Sequence, residues 1–154
     1  MSNQSYQQSY NDILISTDKS TLNINMIHQF LSIKSYWAGG IPKATVERAI
    51  DYSICFGVYR NSTQIGFARV TSDRATFAYL ADVFIVEEEQ GKGLGKLLMQ
   101  TIHQHPDLQG LRRWMLATRD AHKLYEKFDW VNVDDVAASR LMQILKPNIY
   151  KENQ

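Results

Sequence analysis

The chain of 154 residues has one cysteine, Cys55, so it has no internal disulfide framework, which is typical of a reducing compartment. It also lacks an excess of charge of either sign. Its 17 basic and 16 acidic side chains argue against a broad surface for nucleic acid or anionic membranes. No apolar run approaches the roughly 20 residues that span a bilayer, and the N-terminus has no basic-then-apolar signal. These absences predict a cytoplasmic protein with no nucleic-acid or membrane partner.

What the sequence does contain is enough apolar material for one domain. A chain of this length buries roughly 70% of the surface that its unfolded form exposes, so it needs neither metal nor disulfides for its core. The first twelve residues are rich in Ser, Gln, Asn and Tyr, with no aliphatic residue after Met1. We therefore expect a flexible polar arm over residues 1–12 and a single domain over residues 13–150.

Hydrophobic periodicity changes along the chain and predicts an α/β fold. Residues 13–15 form a first predicted strand, and two amphipathic helices follow, the second beginning near Pro42. Three strand-like runs with short turns between them predict an antiparallel meander over residues 54–59, 64–71 and 77–86. A helix from Leu94, a strand at 114–118 and a short helix at 121–128 complete the order, whereas residues 131–146 fit either helix or strand.

A glycine-rich segment, Gln90-Gly91-Lys92-Gly93-Leu94-Gly95-Lys96, lies between the last meander strand and the next helix. Alternate glycines let the backbone adopt conformations closed to other residues and let a ligand approach the main chain. The following helix directs unpaired N–H groups and the positive end of its dipole toward that ligand, and the two lysines add charge at the rim. The segment therefore predicts a phosphate-binding loop in preference to a plain turn.

Two common phosphate loops do not fit this segment. A P-loop places a hydroxyl directly after Gly-Lys, where this sequence has Leu97, and a dinucleotide fingerprint ends on a glycine where it has Lys96. A nucleotide- or dinucleotide-binding domain is therefore the more distant alternative. Glu87, Glu88 and Glu89 are interpreted as a solvated rim, because carboxylates that face a diphosphate repel it.

The spacing Gln90-x-x-Gly93-x-Gly95, after a long apolar strand and before an amphipathic helix, resembles the pyrophosphate-binding motif of the GCN5-related N-acetyltransferases, the GNAT family. The order of elements from residue 13 to residue 128 also agrees. A second segment, Leu124-Tyr125-Glu126-Lys127-Phe128, is similar to the family signature L-Y-x-x-x-G-F, although Asp129-Trp130 replaces Gly-Phe. The resemblance implies a three-layer fold with a mixed, splayed central sheet of about six or seven strands, flanked by about four helices.

The same resemblance implies roles for individual residues. Acetyl-CoA is the implied cofactor, Tyr125 the general acid that protonates the departing thiolate, and the main-chain N–H of Ile85 the oxyanion donor. Thr118 stands where the family often has asparagine and is a candidate contact for the pantetheine arm. The residues expected along the pantetheine arm and around the diphosphate are Val83, Phe84, Ile85, Gln90, Gly91, Lys92, Gly93, Leu94, Gly95 and Lys96.

The groups that deprotonate and bind the acceptor are less well determined. Asp82 in the central strand is either a general base or the partner of Arg69 across the meander, and deprotonation through water needs neither. His122 is either a substrate or proton-transfer residue or a surface histidine. Tyr36 and Trp37 either contact the substrate or plug the core before the Gly-Gly turn.

The predicted activity is transfer of acetyl from the thioester to a primary amine by direct attack in a ternary complex, with a small molecule or a peptide as acceptor. A non-catalytic acyl-CoA sensor on the same fold is the alternative. Cys55 is expected to be a buried small hydrophobe and not an acyl-carrying nucleophile. The histidines have no metal-ligand spacing, so no metal is expected. Many members of the family are dimers, so a homodimer is one of the states left open.

Overall fold

Six strands form a single sheet in the computed structural model, which describes residues 4–152. The strands lie side by side in chain order. The first five are antiparallel to their neighbours and the sixth runs parallel to the fifth, which confirms the predicted mixed sheet. The strands are β1 (Gln7–Tyr10), β2 (Ile13–Ser16), β3 (Ile54–Arg60), β4 (Thr63–Ser72), β5 (Phe77–Ile85) and β6 (Arg113–Met115).

Helices cover both faces of the sheet. The described helices are α1 (Ile24–Gln29), which a π-helical turn at Phe30–Lys34 continues, α2 (Lys43–Asp51), α3 (Leu94–His103), α4 (His122–Glu126), α5 (Asp135–Ala138) and α6 (Ile149–Glu152). The core on one face contains Leu98 and Ile102 of α3, and the core on the other contains Ile27 of α1 and Val46 of α2. The result is the three-layer arrangement that the sequence predicts. No helix within residues 4–152 has the length and apolar character needed to cross a membrane.

Strand β3 separates the two cores. Ile54, Phe56 and Val58 belong to the core beneath α3, whereas Cys55 belongs to the core beneath α1 and α2. This division arises because successive side chains of a strand point to opposite faces. Cys55 is 1% exposed, and burial raises the pKa of its thiol to about 12. The prediction that Cys55 is a buried small hydrophobe is confirmed.

Three regions differ from the sequence prediction. The predicted flexible arm is wrong for Gln7–Tyr10, which form edge strand β1 against β2, and residues 1–3 of that arm lie outside the described residues. The strand was not predicted because its residues are polar, as is common where one side of an edge strand faces solvent. The hydroxyl of Tyr10 nevertheless lies 3.0 Å from that of Thr101 on α3. β6 ends earlier than predicted, and within residues 131–146 only α5 is regular, in a largely exposed segment.

Strand β5 contains a bulge near its C-terminal end. Phe84 pairs with Phe67 and Ala81 pairs with Arg69, so two residues of β5 lie opposite one residue of β4. Asp82 lies in this bulge with a left-handed φ of 55°. A β-bulge of this kind bends its strand and re-aims the residues beside it.

Candidate active site

β5 and β6 separate after a short parallel pairing and leave an opening between them. Their ladder ends at the pair Tyr79 and Met115. Beyond this pair lies a cavity of about 90 Å³, here called the cleft. It is lined by Tyr36, Trp37, Leu80, Ala81, Val83, Leu116, Ala117, Thr118, Asp120, Ala121 and Tyr125. An extended ligand chain in the cleft would meet the main-chain groups of a strand edge, as in strand addition.

The main-chain N–H of Ile85 is directed to the cleft side of β5. The next residue, Val86, donates its N–H to the carbonyl oxygen of Ile65 on β4, at 2.9 Å. Main-chain groups alternate in direction along a regular strand, so the N–H of Phe84 points toward β4 and that of Ile85 points to the other side, toward β6. Val83 lines the cleft but lies in the bulge, where the alternation is interrupted. Of the three expected pantetheine contacts, Ile85 therefore has its N–H on the cleft side.

Two glycines of the loop at residues 90–96 have conformations that other residues rarely adopt. Gly91 and Gly93 have φ values of 78° and 79°, and a Cβ on either would meet nothing within 4 Å. Gly93 is the N-cap of α3, whose first intrahelical hydrogen bond runs from the Leu97 N–H to the Gly93 carbonyl. The N–H groups between them lie at the positive end of the helix dipole. The loop thus presents main-chain donors beside open space, which suits a diphosphate.

The third glycine of the loop serves packing. A Cβ on Gly95 would lie 3.4 Å from the side chain of Leu124 on α4. Because α4 also carries Tyr125, this contact places the helix of that tyrosine beside the loop.

Opposite charges are paired at the rim of the loop. Glu89 accepts hydrogen bonds from Arg60 at 3.2 Å and 3.0 Å and from Lys92 at 3.2 Å. Arg60 also pairs with Asp12 in the β1–β2 turn. The hydrogen bonds from Arg60 hold the pKa of the Glu89 carboxyl below its ordinary value. The other two glutamates of the run are exposed, as a solvated rim requires, whereas Glu89 is half-buried.

Tyr125 lies on the wall of the cleft. It is 8% exposed, and burial raises the pKa of its phenol to about 12, so the phenol is protonated at neutral pH. Thr118 lines the same cleft and accepts the N–H of Ala121 at 3.0 Å, which fixes the start of α4. The proton of the Thr118 hydroxyl is not used in that bond. The site therefore holds a buried, protonated phenol on a helix whose start is fixed from within the cleft.

Asp82 has a donor on each carboxylate oxygen. Arg69 donates to one at 2.8 Å, and the indole N–H of Trp37 donates to the other at 2.9 Å. Of the two alternatives for Asp82, the ion pair across the meander is the one that the structure contains. Both oxygens of this carboxylate are therefore already hydrogen-bonded within the protein.

The aromatic pair before the Gly-Gly turn lies at the mouth of the cleft and not in the core. Tyr36 is 47% exposed and Trp37 is 41% exposed. The Tyr36 hydroxyl accepts the N–H of Arg119 at 3.0 Å, and the guanidinium carbon of Arg119 lies 3.9 Å from the Tyr36 ring centroid. These contacts join the α1–α2 loop to the segment before α4. His122 is exposed and lines an adjoining cavity, which shares Thr118 and Tyr125 with the cleft but does not include the aromatic pair.

Sequence reasoning missed the pairing of Arg60 with Glu89 and the stacking of Arg119 on Tyr36. Arg60 and Glu89 are 29 residues apart, and no local pattern indicates that the sheet brings them together. Within residues 4–152, no three His, Cys, Asp or Glu side chains are grouped in a way that can hold a metal ion.

Comparison of the sequence with known proteins gives a consistent family. A family model for the acetyltransferase (GNAT) domain matches residues 51–132. A Gibberella zeae protein named as an acetyltransferase is 38% identical in an alignment of length 138; the match covers 75% of this chain and 77% of the relative. A Pyropia yezoensis protein named as an N-acetyltransferase is 28% identical, over 82% of this chain and 74% of the relative.

Solved structures agree with these relatives. A crystal structure from Xanthomonas campestris pv. campestris, assigned to the GNAT family of acetyltransferases, matches with a TM-score of 0.87 and 47% identity, over 92% of this chain and 99% of that chain. A GNAT family acetyltransferase from Elizabethkingia anophelis with acetyl-CoA bound has a TM-score of 0.58 and 15% identity, over 77% of this chain and 76% of that chain. At that identity the second likeness concerns the fold alone.

Proposed function

Since the chain belongs to the GNAT acetyltransferase family, we propose that it transfers an acetyl group from acetyl-CoA to a primary amine by direct attack in a ternary complex. Bound acetyl-CoA supplies the acetyl group in the activated form of a thioester. Support for this cofactor comes from the acetyl-CoA bound to the Elizabethkingia protein and from the main-chain N–H donors of the glycine loop in this chain. Support for an amine acceptor comes from the name of the Pyropia relative.

The glycine loop suits the diphosphate of the cofactor. Gly91 and Gly93 leave the main chain open, and the first turn of α3 adds N–H donors and a positive dipole. Lys92 and Lys96 are exposed at the same rim and supply positive charge. From there, the cleft between β5 and β6 leads past Val83 and the N–H of Ile85, which can bond an amide of the pantetheine arm.

Each proton and electron pair of the reaction has a place in the cleft. The amine nitrogen forms a bond to the acetyl carbon, and the carbon–sulfur bond breaks with its electron pair passing to sulfur. Tyr125 donates its phenolic proton to that sulfur, and the N–H of Ile85 donates to the acetyl oxygen as it gains negative charge. Because Asp82 is committed to Arg69 and Trp37, the amine proton leaves through water, and solvent returns a proton to Tyr125.

The observation that carries this proposal is a buried, protonated tyrosine on the wall of the cleft, on a helix that packs against the glycine loop. Replacement of Tyr125 by Phe removes only the hydroxyl. We expect kcat, measured as release of free thiol, to fall about 10²- to 10⁴-fold, with the affinity for acetyl-CoA by calorimetry unchanged. Tyr52→Phe is the matched control, because Tyr52 is 85% exposed.

The same experiment separates an enzyme from a sensor. A sensor binds acetyl-CoA but releases no thiol with any amine, so a wild-type chain that binds the cofactor without turnover would refute catalysis. Unchanged turnover in Tyr125→Phe would refute the assigned role of the tyrosine.

A further inference from the structure

A second cavity adjoins the cleft on the face of the sheet that α1 and α2 cover. It has a volume of about 280 Å³ and is here called the α2 cavity. It shares Trp37 and Ala81 with the cleft, so the two cavities lie next to each other at these residues. Its walls are mostly apolar and include Leu31, Val46, Ile50 and Phe67.

The polar end of the α2 cavity carries no net charge. Its charged lining groups are Arg69 and Asp82, which form the ion pair described above. Their other hydrogen bonds go to Ser53, Thr71 and Trp37. The cavity therefore has no unpaired carboxylate to receive a cation.

The C-terminal part of the chain forms one wall of the α2 cavity. Tyr150 of α6 lines it and packs against the core of α1 and α2. A long polymer would have to displace this residue to enter from that side.

We propose that the α2 cavity receives the body of the acceptor, and that the acceptor is a small primary amine with a single apolar group, such as an arylalkylamine. This inference rests on the proposed function, because it names the substrate class of the same reaction. With the apolar group in the α2 cavity, the amine nitrogen lies at the Trp37 end, toward Tyr125 in the cleft.

The size of the cavity limits the acceptor. A volume of about 280 Å³ lies at the small end of ligand pockets, which measure about 300–1,000 Å³. A single aromatic ring with a two-carbon amine fits this space. An aminoglycoside, with several sugar rings, exceeds it.

The charge of the cavity excludes a second class of amine. A diamine would place its second ammonium group among aliphatic side chains without a counter-ion, which is strongly unfavourable unless the group loses its proton. An apolar ring in the same position instead gains free energy from burial. The lining therefore selects phenethylamine over putrescine, although both are primary amines of similar length.

The test compares phenethylamine, putrescine and a lysine-containing peptide as acceptors, with thiol release as the readout. We expect kcat/KM for phenethylamine to exceed that of the other two at least about tenfold. Thermal shift with phenethylamine alone gives a readout that does not depend on turnover.

Three variants, one of them a control, test the location. Ala49→Phe fills the α2 cavity from α2 and should raise KM for phenethylamine about tenfold, with KM for acetyl-CoA unchanged. Ala44→Phe adds the same ring on the exposed face of α2 and should change neither constant. Tyr150→Ala removes part of the wall and should let a naphthyl analogue react faster than in the wild type, which keeps the test decisive if Ala49→Phe does not fold.

The outcomes separate this inference from the proposed function. Faster acetylation of putrescine or the peptide, or an unaltered KM for phenethylamine in Ala49→Phe, would overturn the substrate class and leave the acetyltransferase intact. Absence of thiol release with every amine would overturn the proposed function itself.

Discussion

Arg60 donates hydrogen bonds to both carboxylate oxygens of Glu89, at 3.2 Å and 3.0 Å, and Lys92 of the glycine loop donates a third to the same carboxylate. The β3–β4 turn is thereby joined to the loop that suits a diphosphate. The pairing also cancels a negative charge that would otherwise repel the diphosphate.

Replacement of Arg60 by Met should weaken acetyl-CoA binding. Without the guanidinium, Glu89 keeps an uncompensated charge beside the loop and holds Lys92 more firmly, and both effects oppose the ligand. We expect Kd from calorimetry to rise about fivefold at low salt and less at high salt, where exposed charges are screened. Arg74→Met is the control, since Arg74 pairs with Asp107 away from the loop. Equal Kd values for the two variants would contradict this role of Arg60.

The left-handed conformation of Gly93 should matter for the cofactor beyond its effect on stability. Gly93→Ala and Gly110→Ala place a Cβ at similar φ values, 79° and 71°, and neither Cβ meets an atom within 4 Å. Both variants should therefore lose about 1 kcal/mol of unfolding free energy from backbone strain. Only Gly93→Ala should also weaken acetyl-CoA binding, because relief of its strain turns the first-turn N–H groups of α3. A similar loss of affinity in both variants would point to a general effect of instability.

The pH dependence of turnover should show no alkaline limb from Tyr125. Because burial raises the pKa of its phenol to about 12, the phenol keeps its proton throughout the working range. We expect kcat/KM to rise with pH as the amine loses its proton and then to stay level to about pH 10.5. A fall between about pH 8 and 10 that disappears in Tyr125→Phe would contradict this expectation.

Stability should decrease on mild acidification because of a half-buried histidine, His103. His103 accepts the indole N–H of Trp130 on Nε2 at 3.0 Å, and burial lowers its pKa from the ordinary 6.5. The folded state thus favours the neutral ring. The contribution of the neutral His103 ring to the free energy of unfolding is fully present above about pH 6.5. It is lost as the pH falls below that value toward the lowered folded-state pKa.

The measurement is Tm as a function of pH. The slope of Tm below about pH 6.5 should be smaller in His103→Gln than in the wild type, with His122→Gln as the exposed control. His105, whose pKa burial also lowers, should keep part of the slope in both variants. An unchanged slope in His103→Gln would assign the whole effect to other groups.

Asp129 occupies a position that favours glycine. Its φ is 67°, and it follows α4 where the family signature has Gly. Asp adopts this conformation more readily than other non-glycine residues, because its short polar side chain can bond locally. Asp129→Gly should be more stable than Asp129→Ala by about 1 kcal/mol, or about 2–4 °C in Tm. Equal Tm values would show that the turn relaxes to a negative φ.

The local parts of the fold were predictable from the sequence. The meander, the helix after Gly93 and the burial of Cys55 each depend on a short run of residues whose period or composition indicates its environment. The departure at Asp129 also has a local explanation, since it keeps the left-handed turn that glycine serves. Edge strand β1 was not predicted, because its residues are polar and it is held in place by its pairing with β2.

The sequence by itself determined the three-layer fold and the glycine loop, because periodicity and alternate glycines act over a few residues. Only the tertiary structure decided that Asp82 pairs with Arg69 and Trp37, that Arg60 reaches Glu89, and that a cavity under α2 opens beside the cleft. The physical reason is distance along the chain. These contacts join residues from separate strands and loops, and strand register and the bulge in β5 determine which of them meet.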